Sequence, residues 1–579
     1  MNRKAPSWAY AALYLACAAL VYGGWRLFWF LTDDAYIAFR YVSHSLLGHG
    51  YVWNAPPFLP VEGYTSFLWV LLLDLLWRVT GAPPPETANP LALLCTLATL
   101  ALTLRFALRL RWRARLARLR FPLIAVALVG LATQRPFLTW SSSGLETALF
   151  NLLLLAWVYA AVAARLAPRA RNLALAALAA AIYLARPDGL LFAAATVGLL
   201  LIEACTAAGA RATGGPGATR APGVDLALAA LPLLIVPTHL LWRRSFYGAW
   251  LPNTFYAKYT GPWPESGWRY GLSFLLEHGH WLALAVLLVI VWREAPAATG
   301  RLRTAARALW HAPRTTPQDP QAAPAATLRR TLVWSVLVLH GAYYTFVIGG
   351  DHFEYRVYSH WAPLIVLGWL WMVNVLPWRP RAALSLVLAA LLLTYPLAAS
   401  HWALSQSRQT RAETFQMHVR VAPHWPPGIR LYAAAFDRLQ AWLIAHMVCI
   451  RHQEHKMMHR LSIAAYPSRA AGRAYGPAGN PVLAGLAVGV PGWVLPHVHV
   501  LDGWGLNDYV IARSPRIPTP ERQMAHDREP PTGYAECFRP NLFLARPGEL
   551  RHLERERPLT DAEIRACEER WRRWVAVQR

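Results

Sequence analysis

The 579-residue sequence predicts a polytopic α-helical membrane protein of 11 or 13 spans with a C-terminal extracytoplasmic mixed α/β domain. Three observations predict it. Apolar residues, 56% of the chain, gather into runs with few charges, and runs of about 18 or more read as membrane helices. Basic residues cluster in the short loops between these runs, the positive-inside pattern of an inner-membrane protein. From about residue 400 the runs stop, and His, Pro, Gly and charged residues become common. Residues 1–399 therefore read as a membrane domain and 400–579 as a soluble one.

The first run, Trp8–Trp29, follows Arg3 and Lys4. It is too long for a signal-peptide core and lacks a small-residue cleavage site, so it reads as an uncleaved anchor. Further spans are expected near 65–80, 91–108, 121–138, 145–164, 172–185, 189–204, 224–242, 273–292, 331–348, 362–377 and 382–399. The basic loops "RLRWRARLARLR" (109–120), "RLAPRAR" (165–171), 293–330 and "WRPR" (378–381) are placed in the cytoplasm. The N-terminus is then inside, and the first outer loop, 139–144, 243–272, 349–360 and the C-terminal domain are outside. Parity requires an odd number of crossings between Asp34 and 109–120, where two apolar runs are visible, so the count is 11 or 13. The net charge of +26 is explained by these loops rather than by nucleic-acid binding. Of six cysteines, Cys17, Cys95 and Cys205 lie in or beside apolar runs. One disulfide among Cys449, Cys537 and Cys567 is allowed if their domain is extracytoplasmic, with the pair left open.

The polar clusters fall on the expected outer side. "TDDAYIAFRY" (32–41) carries Asp33, Asp34 and Arg40, and "PVEGYTSFLW" (60–69) carries Glu62 and Tyr64. "TWSSSGLETALF" (139–150) carries Glu146, and "ARPDGLLF" (185–192) carries Arg186 and Asp188. "FYGAWLPNTFYAKY" (246–259) carries Asn253 and Lys258, and "GGDHFEYRVYSHWAPL" (349–364) carries Asp351, His352, Glu354 and Arg356. Ionisable groups near a bilayer are rare and tend to be functional. Carboxylates serve as general bases or metal ligands, and Arg and Lys suit a phosphate. Acids, cations and aromatics at one membrane surface fit a lipid-phosphate-linked substrate, with Lys258, Arg186 and Arg356 on its phosphate.

Structural readings compete at each place. Arg186 and Lys258 also read as snorkelling side chains, Glu146 three residues after Ser143 as a capping box, and Asp351 after two glycines as a turn residue. Asp33 and Asp34 would both suit the start of a helix at Ala35, although one would suffice. "HQEHKMMH" (452–459) has His spacing that tempts a zinc reading, but it lacks HExxH and a second ligand cluster, so a solvated helix or loop is expected.

Taken together, these segments resemble the GT-C glycosyltransferases. "TDDAYIAFRYVSHSLLGHGYVWN", "PVEGYTSFLW", "SSGLETALF", "ARPDG", "LPNTFYAK" and "GGDHFEYR" are similar to motifs of the branch containing the terminal arabinofuranosyltransferase of the actinobacterial cell wall. "LDGWGLNDYVIAR" (501–513) and "AHDREPPTGY" (525–534) resemble motifs of that branch's C-terminal domain. The resemblance implies a polyprenyl-phosphate sugar donor such as polyprenyl-phosphoryl-arabinofuranose. The sugar would be transferred to a cell-envelope glycan or protein acceptor on the extracytoplasmic side of a bacterial inner membrane. It also implies a carboxylate of the first outer loop near the acceptor hydroxyl, Asp33 or Asp34. The resemblance does not separate the two, and Asp33 is taken as the base. Asp508, His526 and Asp527 offer hydrogen bonds suited to acceptor hydroxyls. No cofactor is demanded; a divalent cation (Mg, Mn or Ca) beside the donor phosphate is the one addition the acid pair allows. "ARPDG" has Asp188 where the branch has Glu. The alternative function is a polytopic transporter or lipid-linked-sugar flippase, whose ionisable groups would lie nearer the midplane.

Overall fold

The computed structural model describes residues 5–212, 222–310, 324–407, 413, 423–517 and 521–578. Part of the basic segment 293–330, residues 311–323, lies outside them. Among the described residues, Ser7–Leu27, Pro84–Arg109, Pro187–Thr206, Val224–Tyr247 and Ala325–Ile348 are long and apolar enough to cross a membrane. Thr147–Val162 and Pro380–Leu392 are shorter apolar helices. Their buried faces contribute to a core that includes Val21, Leu100, Leu154, Trp157, Leu199 and Leu337.

Several expected spans differ: Arg120–Ala132, Thr147–Val162, Pro168–Ala185 and Trp361–Val375 have 13, 16, 18 and 15 residues and are not among the helices long and apolar enough to cross. Two more differ in kind. Between residues 40 and 108, the Phe67–Thr80 helix has only 14 residues, short of the roughly 20 a crossing takes. Pro84–Arg109 is the one span-length helix of that stretch. The span expected at 273–292 is instead Pro264–Glu277 followed by His280–Glu294, bent by 99°. Gly279 (φ 59°) supplies the break, and Glu277 just before it is tied to two arginines, which no continuous lipid-facing helix would allow.

The first span ends at Leu27, and the chain turns into a second helix, Asp33–Leu46. Thr32 is its N-cap, its hydroxyl accepting from the Ala35 amide at 3.1 Å. The cap is thus filled by Thr32, and Asp33 and Asp34 occupy the first turn with their side chains free for other partners. Ten residues of this helix, Ala35–His44, are buried.

The C-terminal part holds a four-stranded sheet: β1 (Val482–Gly485), β2 (His499–Asp502), β3 (Leu542–Arg546) and β4 (Glu549–His552). The strand order is β2-β1-β3-β4, parallel except for the β3–β4 hairpin. Its apolar face shares a core with the segment 33–69, where Leu483, Val500 and Leu542 join Phe39, Trp53 and Trp69. Arg40 is the staple. Its guanidinium donates to the carbonyls of Trp53, Gly492, Leu495 and Val498 at 2.5–3.1 Å. The Gly489–Val494 helix lies so close to Asp33 that a Cβ at Gly489 would come within 2.0 Å of the Asp33 carbonyl oxygen. A disulfide, Cys537–Cys567 (Cα–Cα 6.0 Å), ties the segment before β3 to the last helix, Asp561–Val577, and Cys449 is a buried free thiol.

Candidate active site at the helix rim

Asp34 leaves the first turn of its helix towards Lys258, whose ammonium is 3.4 Å from the carboxylate. The two side chains are 28% and 30% exposed, so the pair opens to the surroundings. Lys258 is placed by Asn253 at the other end of a six-residue helix, Asn253–Lys258. The Asn253 amide donates to the carbonyls of Gly505, Leu506 and Asp508 and accepts from Arg513. Asn253 therefore fastens the cation's helix to the C-terminal domain rather than facing the opening.

Arg356 comes from the segment after the Ala325–Ile348 span. Gly349 caps that span in the left-handed conformation (φ 89°), and Gly350 (φ 100°) follows. A Cβ at Gly350 would meet the Tyr270 ring at 2.7 Å, so only glycine lets the chain turn out here. Asp351 then pairs with Arg356 at 2.8 Å, and the guanidinium lies 4.6 Å from the Phe353 ring centre. Burial pushes the Asp34 carboxyl up, but the charges of Lys258 and Arg356 outweigh it and hold it below the usual carboxylate range.

Asp33 points the other way. Its two oxygens accept from the amides of Gly489 and Val490 at 2.9 and 3.1 Å. Burial, against those two bonds, pushes its carboxyl up to about 6. Neighbouring residues on a helix diverge by about 100°, so one acid binds the C-terminal domain and the other faces the rim.

Three imidazoles line the same opening. His352 lies 5.4 Å from His455 and 5.0 Å from His526, ring centre to ring centre. Burial first, and the neighbouring His526 and His455 second, hold His352 well below its ordinary value, while burial holds His455 at about 4 against the opposing charges of Asp34 and Asp351. His455 corrects the solvated reading of "HQEHKMMH". These residues begin a helix, His452–Ala465, whose first turn is covered by the protein. His452 sits against Phe28 and Phe30, His455 against Phe353, and His459 meets the Tyr36 hydroxyl at 3.2 Å. The periodic polar pattern hid this because its partners come from distant segments.

The other expected site residues are engaged elsewhere. Arg40 spends its donors on the carbonyl cage. Glu62 is buried against Arg243 at 2.6 Å, and the Tyr64 hydroxyl meets that of Tyr247 at 3.1 Å. Glu354 is buried between Arg135 (2.6 Å) and Arg451 (3.1 Å). Arg186 contacts Asp188 (3.2 Å) and the Tyr344 hydroxyl (2.5 Å), with Glu146 at 3.8 Å. Glu146 itself is the N-cap residue of its helix and forms no capping box with Ser143. Asp508 accepts from the amides of Val510 and Ile511 and from the Tyr534 hydroxyl, while Asp527 accepts from the Gln523 amide at 2.6 Å. Asp34, Lys258, Asp351, His352, Arg356 and His526 are the members brought together at the rim. Sequence reasoning missed His455 and the Gly489 and Val490 amides, and backbone amides carry no side-chain signature.

The donor set does not fit a divalent cation. Both Asp33 oxygens hold amides, Asp34 and Asp351 each pair with a cation, and no group of three or more His, Cys, Asp or Glu is placed as metal ligands among the described residues. What the arrangement offers is two cations, each beside a carboxylate, and three imidazoles, which suits an anion next to a hydroxyl.

No protein-family model matches the chain, and no curated protein matches it. Among solved structures, the crystal structure of ArnT from Cupriavidus metallidurans bound to undecaprenyl phosphate is similar at 13% identity, with 86% of each chain covered and a TM-score of 0.47.

Proposed function

We propose that this chain is an integral-membrane glycosyltransferase of the GT-C type. It takes a sugar, arabinofuranose on the motif resemblance, from a polyprenyl-phosphate donor and transfers it to a cell-envelope glycan or protein acceptor outside the cytoplasm. The observation that carries the reading is the rim itself. Asp34, Lys258 and Arg356 come from three segments far apart in the chain and meet at one end of apolar helices, half open, with Lys258 against Asp34 and Arg356 against Asp351. Lys258 and Arg356 compensate the phosphate, where negative charge builds as its bond to the sugar breaks. Asp34 steers the acceptor hydroxyl, and Asp33 anchors the loop. The disulfide in the C-terminal part supports an oxidising compartment for it, in line with a bacterial inner-membrane protein whose N-terminus is cytoplasmic.

The test is transfer from radiolabelled polyprenyl-phosphate sugars to a panel of acceptor glycans and proteins by the purified chain. Transfer that falls in kcat in Lys258→Ala supports the reading; no transfer from any donor overturns it. A lipid-linked-sugar flippase is the second reading. It draws on the buried Arg186–Asp188–His340 chain (3.2 and 2.6 Å), which lies between helices of the bundle. Movement of labelled lipid between leaflets of vesicles, without hydrolysis or transfer, would favour it.

A further inference from the structure

Glycosyl transfer requires the acceptor hydroxyl to lose a proton, and the rim carboxylates are poorly placed to take it. Both Asp33 oxygens hold amide N–H groups. Asp34 is paired with Lys258 and Asp351 with Arg356. Asp527 accepts from the Gln523 amide and faces Arg522. A carboxylate held by a cation is a weak proton acceptor.

His526 is built differently. Its Nδ1 donates to the Met524 carbonyl at 2.6 Å. A carbonyl only accepts, so this bond keeps the proton on Nδ1 and leaves Nε2 with a lone pair. Nε2 has no hydrogen-bond partner among the described residues. The ring stands edge-on to Trp504 (4.7 Å) and beside His352 (5.0 Å). By contrast His44, a buried packing histidine, has both ring nitrogens against backbone carbonyls, of Val52 and Pro496.

The backbone around His526 is held in an unusual shape. Ala525 has φ 64°, a left-handed conformation rare for a residue with a Cβ. Three ties enforce it: Gln523 N–H to the Asp527 carboxylate, Ile517 N–H to the Asp527 carbonyl at 2.8 Å, and Met524 N–H to the His446 carbonyl at 2.9 Å. Strain of this kind persists only where surrounding structure over-determines it, and here its product is the presentation of one imidazole edge.

On the glycosyltransferase reading, we infer that His526 is the proton acceptor of the reaction, delivered to the membrane site by the C-terminal domain. The acceptor oxygen bonds to the anomeric carbon. The bond from that carbon to the phosphate oxygen breaks, and its electron pair leaves with the phosphate. The hydroxyl proton moves to Nε2 of His526. Asp34 and Asp527 favour the imidazolium so formed, and Lys258 opposes it. His352 adds a neutral neighbour. A donor phosphate on Lys258 offsets that opposition, so donor binding itself readies the base. In the free protein burial keeps the ring neutral, as a base must be.

The experiment compares the whole protein with His526→Gln and His526→Gly in the transfer assay. His526→Gln is expected to lose about 10²–10⁴ in kcat, with an unchanged melting temperature and unchanged binding of undecaprenyl phosphate. Added imidazole should restore turnover to His526→Gly, and across substituted imidazoles the restored rate should rise with their basicity. The unaltered enzyme should lose kcat as pH falls through the imidazole titration, because a protonated ring cannot accept. Turnover of His526→Gln within about threefold of the parent, far short of that loss, overturns the inference. So does a folded His526→Gly that no imidazole rescues, or a parental kcat flat from about pH 8 to about pH 4, across the imidazole range. A parent that transfers sugar while His526 is dispensable fails only this role. A parent that transfers from no polyprenyl-phosphate donor fails the glycosyltransferase reading itself.

Discussion

Two charge clusters share the segment 351–356 and could hardly be less alike. Glu354 turns inward, where it and Glu277 each meet both Arg135 and Arg451 at 2.5–3.1 Å, with every side chain 0–1% exposed. Asp351 and Arg356 turn outward beside Asp34 and Lys258, partly open, each acid meeting one cation. The inner quartet is dry and mutually saturated. It clamps the bend after Pro264–Glu277 to the start of the His452–Ala465 helix. The outer group keeps unused capacity for an incoming anion and hydroxyl. Composition is the same in both; what separates architecture from a candidate site is whether the charges are already satisfied.

The largest expected effect breaks the inner cluster. Glu277→Ala leaves two buried arginines sharing one carboxylate, and removing one partner of a buried pair costs about 3–5 kcal/mol. The variant should accumulate poorly or melt far below the parent in detergent. A melting temperature equal to the parent's would mean that the quartet is wet and mobile, and the contrast drawn above would collapse.

Asp34→Asn tests the other side. A half-open pair such as Asp34–Lys258 contributes at most about 1 kcal/mol to stability, so the fold should hold. The transfer rate should fall by about 10² if the carboxylate steers the acceptor hydroxyl, the loss that misplacing a reacting group brings. Parental turnover with an unchanged melting temperature would remove Asp34 from the site.

How much of this was legible in the sequence follows the same division. Apolar runs and basic loops reveal where helices lie, because length and charge are local properties. The bend at Gly279 was not legible, since hydropathy cannot report that Glu277 finds two arginines. Asp351, Glu354 and Arg356 stand out together as charges on an expected outer loop. Which of them faces inward depends on Arg135 and Arg451, and neither advertises itself. Asp33 and Asp34 were visible as a pair but not separable, because the partner of Asp33 is backbone. "HQEHKMMH" looks solvated by composition, while its cover, Phe28, Phe30 and Phe353, arrives from elsewhere. Local polarity reads well, and long-range satisfaction does not.

Buried imidazoles extend the comparison to pH. His352, His452, His455 and His499 are all held below their ordinary value of about 6.5, chiefly by burial, His455 at about 4 and His499 at about 3. Below that ordinary value the unfolded chain binds protons that the folded one refuses. Stability is therefore full above about pH 6.5 and falls as pH drops towards the folded values, by up to about 1.4 kcal/mol per pH unit for each imidazole. The melting temperature should drop steeply between pH 7 and pH 5. His499→Gln, in β2 against Phe58 and Asn480, should shallow that slope without touching kcat. A melting temperature independent of pH over this range would show that these rings are hydrated.

The smallest effect, and the one that sharpens the contrast most, is Asp33→Asn. Asp33 adjoins Asp34 yet belongs with the architecture, because both its oxygens accept amide N–H groups of Gly489 and Val490. An Asn side chain keeps one acceptor and turns an NH2 towards the second amide, so one buried donor loses its partner. Hydrogen bonds to charged groups contribute about 1.5–3 kcal/mol, but burial already raises the Asp33 carboxyl to about 6, which discounts the charge. The net loss should be about 1–2 kcal/mol, seen as a modest fall in melting temperature or earlier proteolytic release of the C-terminal part. The kcat should change less than about tenfold, because the carboxylate that general-base arguments would need is not free. If Asp33→Asn instead abolishes transfer while stability is untouched, and Asp34→Asn does not, the two acids have been assigned the wrong way round. The carboxylate that steers the acceptor hydroxyl would then sit against Gly489.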